Sequence, residues 1–312
     1  MKTTPPFFYR MKFHANGPET VFLSCTVVTA LFTILILGFI LLTAAPVLQK
    51  EGIGFFTGTS WDYTNQHFGI FNFLVSTLVM TAMTMVIAVP LGLLTAVFLA
   101  EWAPAWLDKS ISSMIELLVG IPSVVFGIFG LFVLKDIFRD NINPAISGTL
   151  GFIPIFHDSD SMGIGLLLAA TVLAIMVLPT ITALSRDAIR GVPPEYREAS
   201  YAVGATKWET IKLIVIPAAL SGIITGIILA LMRAMGETMA VVMLVGCVSQ
   251  VPDSIYSLTY PMTSKIINDI GYHMATDTDR SALFAIGAVL FAMEMGFVAA
   301  IRLVTKYLSQ GR

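Results

Sequence analysis

Three ionisable residues lie inside segments that are otherwise apolar enough for the interior of a lipid bilayer. Arg233 and Glu237 are four residues apart in the stretch LMRAMGETMAVVML, and Glu294 lies near the centre of a later apolar stretch. A charge at the centre of a membrane helix costs about 2.5–3.5 kcal/mol on insertion scales, so such residues are rare and are functional candidates by default. The permanent charge and planar guanidinium of Arg233 suit a tetrahedral oxyanion.

Two interpretations of Arg233 and Glu237 are open. In the first, the side chains form an internal ion pair one helical turn apart, although desolvation offsets most of its stabilisation. In the second, Arg233 lies on a translocation pathway, and Glu237 holds its guanidinium and weakens binding enough for the anion to leave. Glu294 is either a partner of Arg233 from another helix or a protonated, hydrogen-bonded carboxyl group.

A helical wheel of this segment places both charges on a face of small residues. At about 100° per residue, an arc of about 80° holds six positions: Gly222, Gly226, Ala230, Arg233, Glu237 and Ala240. A stripe of methionines lies about 140° away and is typical of packing or lipid contact. Because Gly222 and Gly226 form a G-x-x-x-G pair, the pattern predicts close approach of a neighbouring helix on the charged face.

The composition indicates a membrane protein. Of 312 residues, 56% are hydrophobic and 12% are charged, against about 25% charged in soluble domains. Six stretches reach the roughly 20 apolar residues that cross a bilayer, near residues 21–44, 70–100, 111–134, 162–185, 218–246 and 281–304. We therefore predict an all-α, polytopic membrane protein with six transmembrane helices in contact with membrane lipid. The net charge of −2 and the lack of a basic tail indicate no nucleic-acid partner.

The distribution of positive charges predicts the orientation of the chain. With the N-terminus inside, 12 of the 18 lysines and arginines fall in inner segments, five fall in outer loops, and Arg233 lies within a span. By the positive-inside rule, both termini are expected to be cytoplasmic. The aromatic residues of the outer loops are expected at the level of the lipid headgroups; they include Trp61, Tyr63, Phe68, Tyr256 and Tyr260.

The longest predicted inner loop, residues 186–217, contains residues typical of the starts and ends of two short helices. Pro193 and Pro194 suit a helix start, and Gly204 suits a left-handed helix end. Thr206 and Glu209 have the spacing of a capping box that opens the second helix, and Pro217 is expected to separate that helix from the next span.

One face of the first short helix is small and mostly apolar. Tyr196, Ala199, Ser200 and Val203 recur at helical spacing. Because Ala and Ser bury little area, this face favours close docking of another protein over anchoring to lipid.

The sequence lacks the residues of a catalytic or nucleotide-binding site. It contains no Gly-Lys dipeptide, which excludes a P-loop, and no H-E-x-x-H metal motif. The four histidines are scattered over the N-terminal tail and the outer loops. We therefore expect no enzymatic activity, cofactor or metal in this chain, and any ATP hydrolysis must reside on another subunit.

The segment EASYAVGATKWETIKLIVIP resembles the EAA loop of ABC importer permeases. The matching positions are Glu198, Ala199, Gly204, Ile214 and Pro217, whereas Ser200 and Ile216 depart mildly from the pattern. Four further segments are similar to the C-type permease subunit of phosphate-specific ABC importers, within a likeness that covers about residues 68–304. They are PLGLLTAVFLAEWAP, GIPSVVFGIFGL, LPTITALSRDAIRGVP and RAMGETMAVVMLVG.

The resemblance implies a type I ABC importer permease fold and a domain division. Residues 1–20 would form a cytoplasmic tail, 21–67 the first transmembrane helix and its outer loop, 68–304 the permease domain, and 305–312 a second cytoplasmic tail. It assigns ATPase coupling to four residues of the loop: Glu198, Ala199, Ser200 and Gly204. It also supports a substrate pathway at three residues: Arg233, Glu237 and Glu294.

The implied partners are a PstA-type permease subunit, two ATP-binding PstB-type subunits and the extracytoplasmic phosphate-binding protein PstS. The expected location is the cytoplasmic membrane of a bacterium or archaeon. Two alternatives remain open: a permease for another oxyanion such as sulfate or molybdate, and a stand-alone ion-coupled transporter or channel.

Overall fold

The computed structural model describes residues 17–156 and 162–310, so most of the predicted N-terminal tail lies outside the described residues. The fold is almost entirely helical. Its helices are α1 (Gly17–Glu51), α2 (Gly54–Thr57), α3 (Phe71–Glu101), α4 (Ala105–Val119), α5 (Ser123–Phe129), α6 (Lys135–Ile137), α7 (Asn143–Leu150), α8 (Leu166–Arg190), α9 (Pro194–Ala202), α10 (Lys207–Thr210), α11 (Ile216–Gly236), α12 (Met239–Leu244), α13 (Met262–Asp269) and α14 (Asp277–Gln310).

Short irregular segments join several of these helices. Three segments are π-helical: Gly130–Leu134, Phe138–Ile142 and Ile211–Val215. Pro154–Phe156 forms a turn of 3₁₀ helix. An outer hairpin pairs β1 (Trp61–Asp62) with the antiparallel β2 (His67–Phe68).

The described chain contains five continuous helical segments that are long and apolar enough to cross a membrane. A sixth span exists only if the bent pair formed by residues 105–119 and 123–150 is counted as one. These two parts meet at 95°, so the region predicted as the third span, residues 111–134, is not one continuous helix. Pro122 explains the bend, because proline cannot continue the hydrogen bonding of α4 and drives Ile121 out of the helical conformation. The all-α, polytopic architecture is confirmed.

Helix α8 forms the centre of the permease core and packs against both α3 and α11. A Cβ atom added to Gly222 would lie 2.5 Å from the Cβ of Ala188, and one added to Gly226 would lie 3.0 Å from that of Leu184. The close helix approach predicted from the G-x-x-x-G pair is therefore confirmed, and α8 is the neighbour.

Helices α1 and α14 form a second layer beside this core. The Phe39 and Phe284 rings meet edge to face at 5.5 Å, and the Ser281 hydroxyl donates to the Ala44 carbonyl at 3.4 Å. Most apolar side chains of α1 remain exposed, as in a helix that faces lipid.

The second short helix of the predicted cytoplasmic loop runs without interruption into the fifth span. Residues 207–236 form one continuous helix, so the expectation that Pro217 separates the two segments is wrong. The π-helical turn at Ile211–Val215 ends two residues before Pro217. Widening the helix there accommodates a residue that has no N–H group and whose ring crowds the preceding turn.

Candidate translocation site and cytoplasmic docking surface

The fifth predicted span is broken inside the membrane region. Helix α11 ends at Gly236, Glu237 has an extended conformation (φ −66°, ψ 129°), and α12 begins at Met239. The Thr238 hydroxyl donates to the Gly236 carbonyl at 3.1 Å. Glycine favours non-helical conformations, and this local bond replaces a helical one. The helical wheel assumed one continuous helix from Gly222 to Ala240. Its placement of Glu237 and Ala240 on the same face as Arg233 is therefore wrong.

Arg233 lies in the last turn of α11, level with the middle of the neighbouring span α8. Helices α8 and α11 run antiparallel, with Gly226 against Leu184. Seven residues further along α11, or about 10 Å, Arg233 reaches about the level of Val177, midway along α8. Its side chain is half-buried. Within residues 17–156 and 162–310 it forms no ion pair or hydrogen bond.

Glu237 contacts the start of α12 instead of Arg233. Its carboxylate accepts a hydrogen bond from the Ala240 N–H at 3.4 Å, and its carbonyl accepts one from the Thr263 hydroxyl at 3.0 Å. The predicted Arg233–Glu237 ion pair is absent from the described part of the chain. The break in the helix explains this, because the two side chains are no longer one helical turn apart.

Glu294 approaches the helix break from α14. Its Oε1 lies 3.7 Å from the position that a Cβ atom on Gly236 would take. Among the described side chains, Glu294 forms neither an ion pair with Arg233 nor a hydrogen bond. A carboxylate therefore lies beside the break, which begins three residues after Arg233.

This arrangement suits an anion that must bind and leave. The Arg233 guanidinium offers five N–H donors and no acceptor. Glu294 places a carboxyl group beside the break. Interrupted helices near the middle of the membrane are a recurring feature of substrate sites in transporters.

A cavity of about 950 Å³ extends along α11 and α14. It reaches from Pro217, at the N-terminal end of α11, to Met232, the residue before Arg233. Its lining is mostly apolar, with polar groups from Ser221 and Arg302. Open space therefore extends from the side of the predicted cytoplasmic loop to the level of Arg233. The sequence did not predict this cavity.

Helix α9 and the turn that follows it expose three of the four predicted coupling residues. Glu198 and Ala199 are exposed, and Gly204 is exposed with a φ of +87°, which confirms the left-handed helix end. Ser200 instead is buried, and its hydroxyl lies 2.8 Å from the hydroxyl of Thr210. The expectation that Ser200 belongs to the exposed face is wrong, because the second helix folds back over it. The Thr206–Glu209 capping box is confirmed.

A buried ion pair fastens α9 to the end of α3. The Arg197 guanidinium donates to the Glu101 carboxylate at 2.8 and 3.2 Å, and also to the carbonyls of Val192 and Ile189. Lys207 donates to the Glu101 carbonyl at 2.6 Å. Two basic side chains of the coupling loop therefore converge on one residue of the membrane bundle, Glu101. The sequence held no signal for this contact.

The aromatic residues singled out in the predicted outer loops are buried or partly buried within the chain. Phe68 is 1% exposed and Tyr256 is 7% exposed. Trp61, Tyr63 and Tyr260 surround the ammonium group of a lysine. Residues 17–156 and 162–310 contain no cluster of three or more His, Cys, Asp or Glu residues arranged to hold a metal ion.

The whole chain is similar to known phosphate permeases. It is 33% identical over 308 residues to the phosphate transport system permease protein PstC of Haemophilus influenzae, covering 96% of this chain and 97% of that protein. It is 39% identical over 266 residues to PstC of Xylella fastidiosa, covering 84% and 82%. The probable ABC transporter permease protein YqgH of Bacillus subtilis is 37% identical over 262 residues, covering 83% and 78%.

Solved structures support the same fold. One chain of a bacterial alginate ABC transporter superimposes with a TM-score of 0.61 at 14% identity, covering 94% of this chain and 96% of that chain. A chain of the MetNI methionine ABC transporter in an inward-facing conformation gives a TM-score of 0.50 at 20% identity, covering 76% and 94%. Residues 88–310 match the family described as binding-protein-dependent transport system inner membrane component. The chain therefore belongs to this family of ABC importer permeases and has their type I fold.

Proposed function

We propose that this chain is one half of the pore of an ATP-driven importer for inorganic phosphate. The observation that carries the proposal is Arg233, which lies level with the middle of the span α8, beside a helix break, without a protein partner in the described chain. A half-buried cation at this depth is costly. An oxyanion in transit compensates that charge, and the bidentate geometry of a guanidinium fits a phosphate oxygen pair.

The cavity along α11 supports a route from this site to the cytoplasm. Its mostly apolar wall contains four polar residues: Ser221, Thr225, Arg302 and Thr305. An inward-facing conformation of the permease would release phosphate along this route after it leaves Arg233.

The exposed face of α9 supports coupling to an ATPase on another chain. Glu198, Ala199 and Val203 are exposed there, and the Glu101–Arg197 contact would pass a push on α9 to the end of α3. The chain itself would carry no nucleotide site, cofactor or enzymatic activity. Its partners would be a PstA-type permease subunit, two PstB-type ATPases and the binding protein PstS.

The proposed orientation places α9 and both termini on the cytoplasmic side of a bacterial or archaeal membrane. The excess of lysine and arginine in the inner segments supports this placement. The outer hairpin then faces the compartment from which the binding protein delivers phosphate.

Substrate choice is tested by reconstituting the four-component complex in liposomes. ATPase activity is measured with the binding protein and phosphate, sulfate or molybdate, together with uptake of the labelled anion. Stimulation and uptake with phosphate alone support the proposal. Stimulation by sulfate or molybdate in place of phosphate, or uptake without ATP and partner chains, would overturn it.

A further inference from the structure

Lys265 in α13 is enclosed by aromatic rings on the outer side of the permease. Its Nζ lies 5.2–5.4 Å from the centres of four rings: Trp61, Tyr63, Phe73 and Tyr260. The side chain is 10% exposed, and its ammonium group also pairs with Asp269 at 2.7 Å. Desolvated cation–π contacts of this kind are individually worth about as much as a strong hydrogen bond. Together they fix α13 to the outer hairpin.

Tyr63 completes this anchor from the hairpin side. Its hydroxyl donates to the Asp269 carboxylate, and its ring stacks on His273 at 3.5 Å. Burial and the neighbouring carboxylate raise the pKa of Tyr63 well above its usual range, so the hydroxyl remains a neutral donor at physiological pH. The hairpin therefore holds both Lys265 and Asp269, one turn apart on α13.

The other end of α13 contacts the helix break. The Thr263 hydroxyl donates to the Glu237 carbonyl at 3.0 Å, and the Met262 N–H donates to the Thr77 hydroxyl at 2.9 Å. Both donors are buried residues. Glu237 is the extended residue between α11 and α12, so a side chain of α13 directly holds the segment that follows Arg233.

We propose that α13 couples the outer hairpin to the translocation site, with Thr263 as the positioning residue for the backbone at Glu237. This inference rests on the proposed function of the Arg233 site. Asp269, bound by Tyr63 and Lys265, fixes the last turn of an eight-residue helix whose first turn fixes the break. Displacement of the hairpin by a partner on the outer side would move α13 and, through Thr263, the backbone that sets the distance between Arg233 and Glu294.

Thr259 offers a matched control for Thr263. Both are buried threonines of the outer segment. The Thr259 hydroxyl has no hydrogen-bond partner among the described residues, whereas that of Thr263 holds Glu237. Replacement of either threonine by valine preserves its shape. Only Thr263→Val leaves a carbonyl without its donor, and Thr263→Ser keeps that donor.

Hydrogen exchange of the purified complex tests the positioning without reference to substrate. Thr263→Val is expected to speed amide exchange in residues 237–242 by about fivefold, the factor that the loss of one typical hydrogen bond gives. Thr263→Ser and Thr259→Val are expected to leave it unchanged. Equal exchange in Thr263→Val and Thr259→Val would overturn the inference.

Uptake in proteoliposomes tests the consequence for transport. Thr263→Val is expected to lower the phosphate uptake rate at saturating loaded binding protein by about fivefold, with an unchanged half-saturating concentration of that protein. Lys265→Met, which removes the outer anchor, is expected to lower uptake similarly while raising that concentration. Absence of uptake in the unmutated complex would refute the proposed function. Normal uptake in Thr263→Val, with an active unmutated complex, would refute the inference alone.

Discussion

The ion pair between Glu101 and Arg197 makes a quantitative prediction about the coupling loop. The Glu101 side chain is 8% exposed and that of Arg197 is 20% exposed. Breaking a buried pair by removing one partner costs about 3–5 kcal/mol, because the other charge stays buried. Arg197 keeps its bonds to the Val192 and Ile189 carbonyls and some contact with water. We therefore expect Glu101→Gln to lower the free energy of unfolding by about 2–3 kcal/mol.

The assay is denaturant unfolding of the purified chain in detergent, followed by tryptophan fluorescence. Trp102 and Trp208 stack at 6.2 Å between the end of α3 and α10, so they report on the same contact. Asp140→Asn is the control, because its pair with Arg139 is exposed on both sides and should be worth less than about 1 kcal/mol.

A double-mutant cycle with Arg197→Met separates the pair from its surroundings. We expect a coupling energy of about 2 kcal/mol between the Glu101 and Arg197 positions, within the range for residues in direct contact. Strictly additive effects, or a loss in Glu101→Gln no larger than in Asp140→Asn, would refute the view that α9 is fastened to the bundle through this pair.

Three further predictions concern packing, orientation and coupling. Gly222→Ala should destabilise the chain by about 1–3 kcal/mol, since its Cβ would overlap α8. Gly287→Ala, where the space is open, should not destabilise it. Equal unfolding curves for the two variants would contradict the close contact between α11 and α8. The orientation is tested in a variant with both native cysteines replaced, by treating intact cells with a membrane-impermeant maleimide. The reagent should label Tyr272→Cys and not Val203→Cys, although both sites are more than 80% exposed. The reverse labelling would show that the proposed orientation is inverted. Glu198→Arg should preserve assembly yet reduce phosphate uptake per ATP hydrolysed, and an unchanged ratio would remove Glu198 from the docking surface.

Local signals in the sequence predicted the local structure well. The capping box at Thr206 and the left-handed conformation at Gly204 follow from residues within one turn. The close approach of α11 to α8 follows from the spacing of Gly222 and Gly226 alone. In each case the residue types and spacing that determine the structure lie within one short segment.

The features that define the candidate site depend on contacts distant in sequence. Apolar residues continue on both sides of Gly236, so the sequence reads as one span, whereas Thr263 holds the break from 26 positions away. Ser200 has the same helical spacing as the exposed residues, and only the return of Thr210 over it explains its burial. Glu101 and Arg197 are separated by 96 residues. The spacing of residue types along the sequence does not reveal these long-range contacts.

The role of Arg233 in binding the anion is the central claim, and one comparison tests it most directly. Initial rates of phosphate uptake are measured in proteoliposomes for the unmutated complex, Arg233→Gln, Arg233→Lys and the surface control Arg280→Gln, at equal amounts of assembled complex. The account predicts that Arg233→Gln abolishes uptake, that Arg233→Lys retains a small fraction because it keeps the charge without the planar fork, and that Arg280→Gln is unaffected. Unmutated rates in Arg233→Gln would contradict the claim.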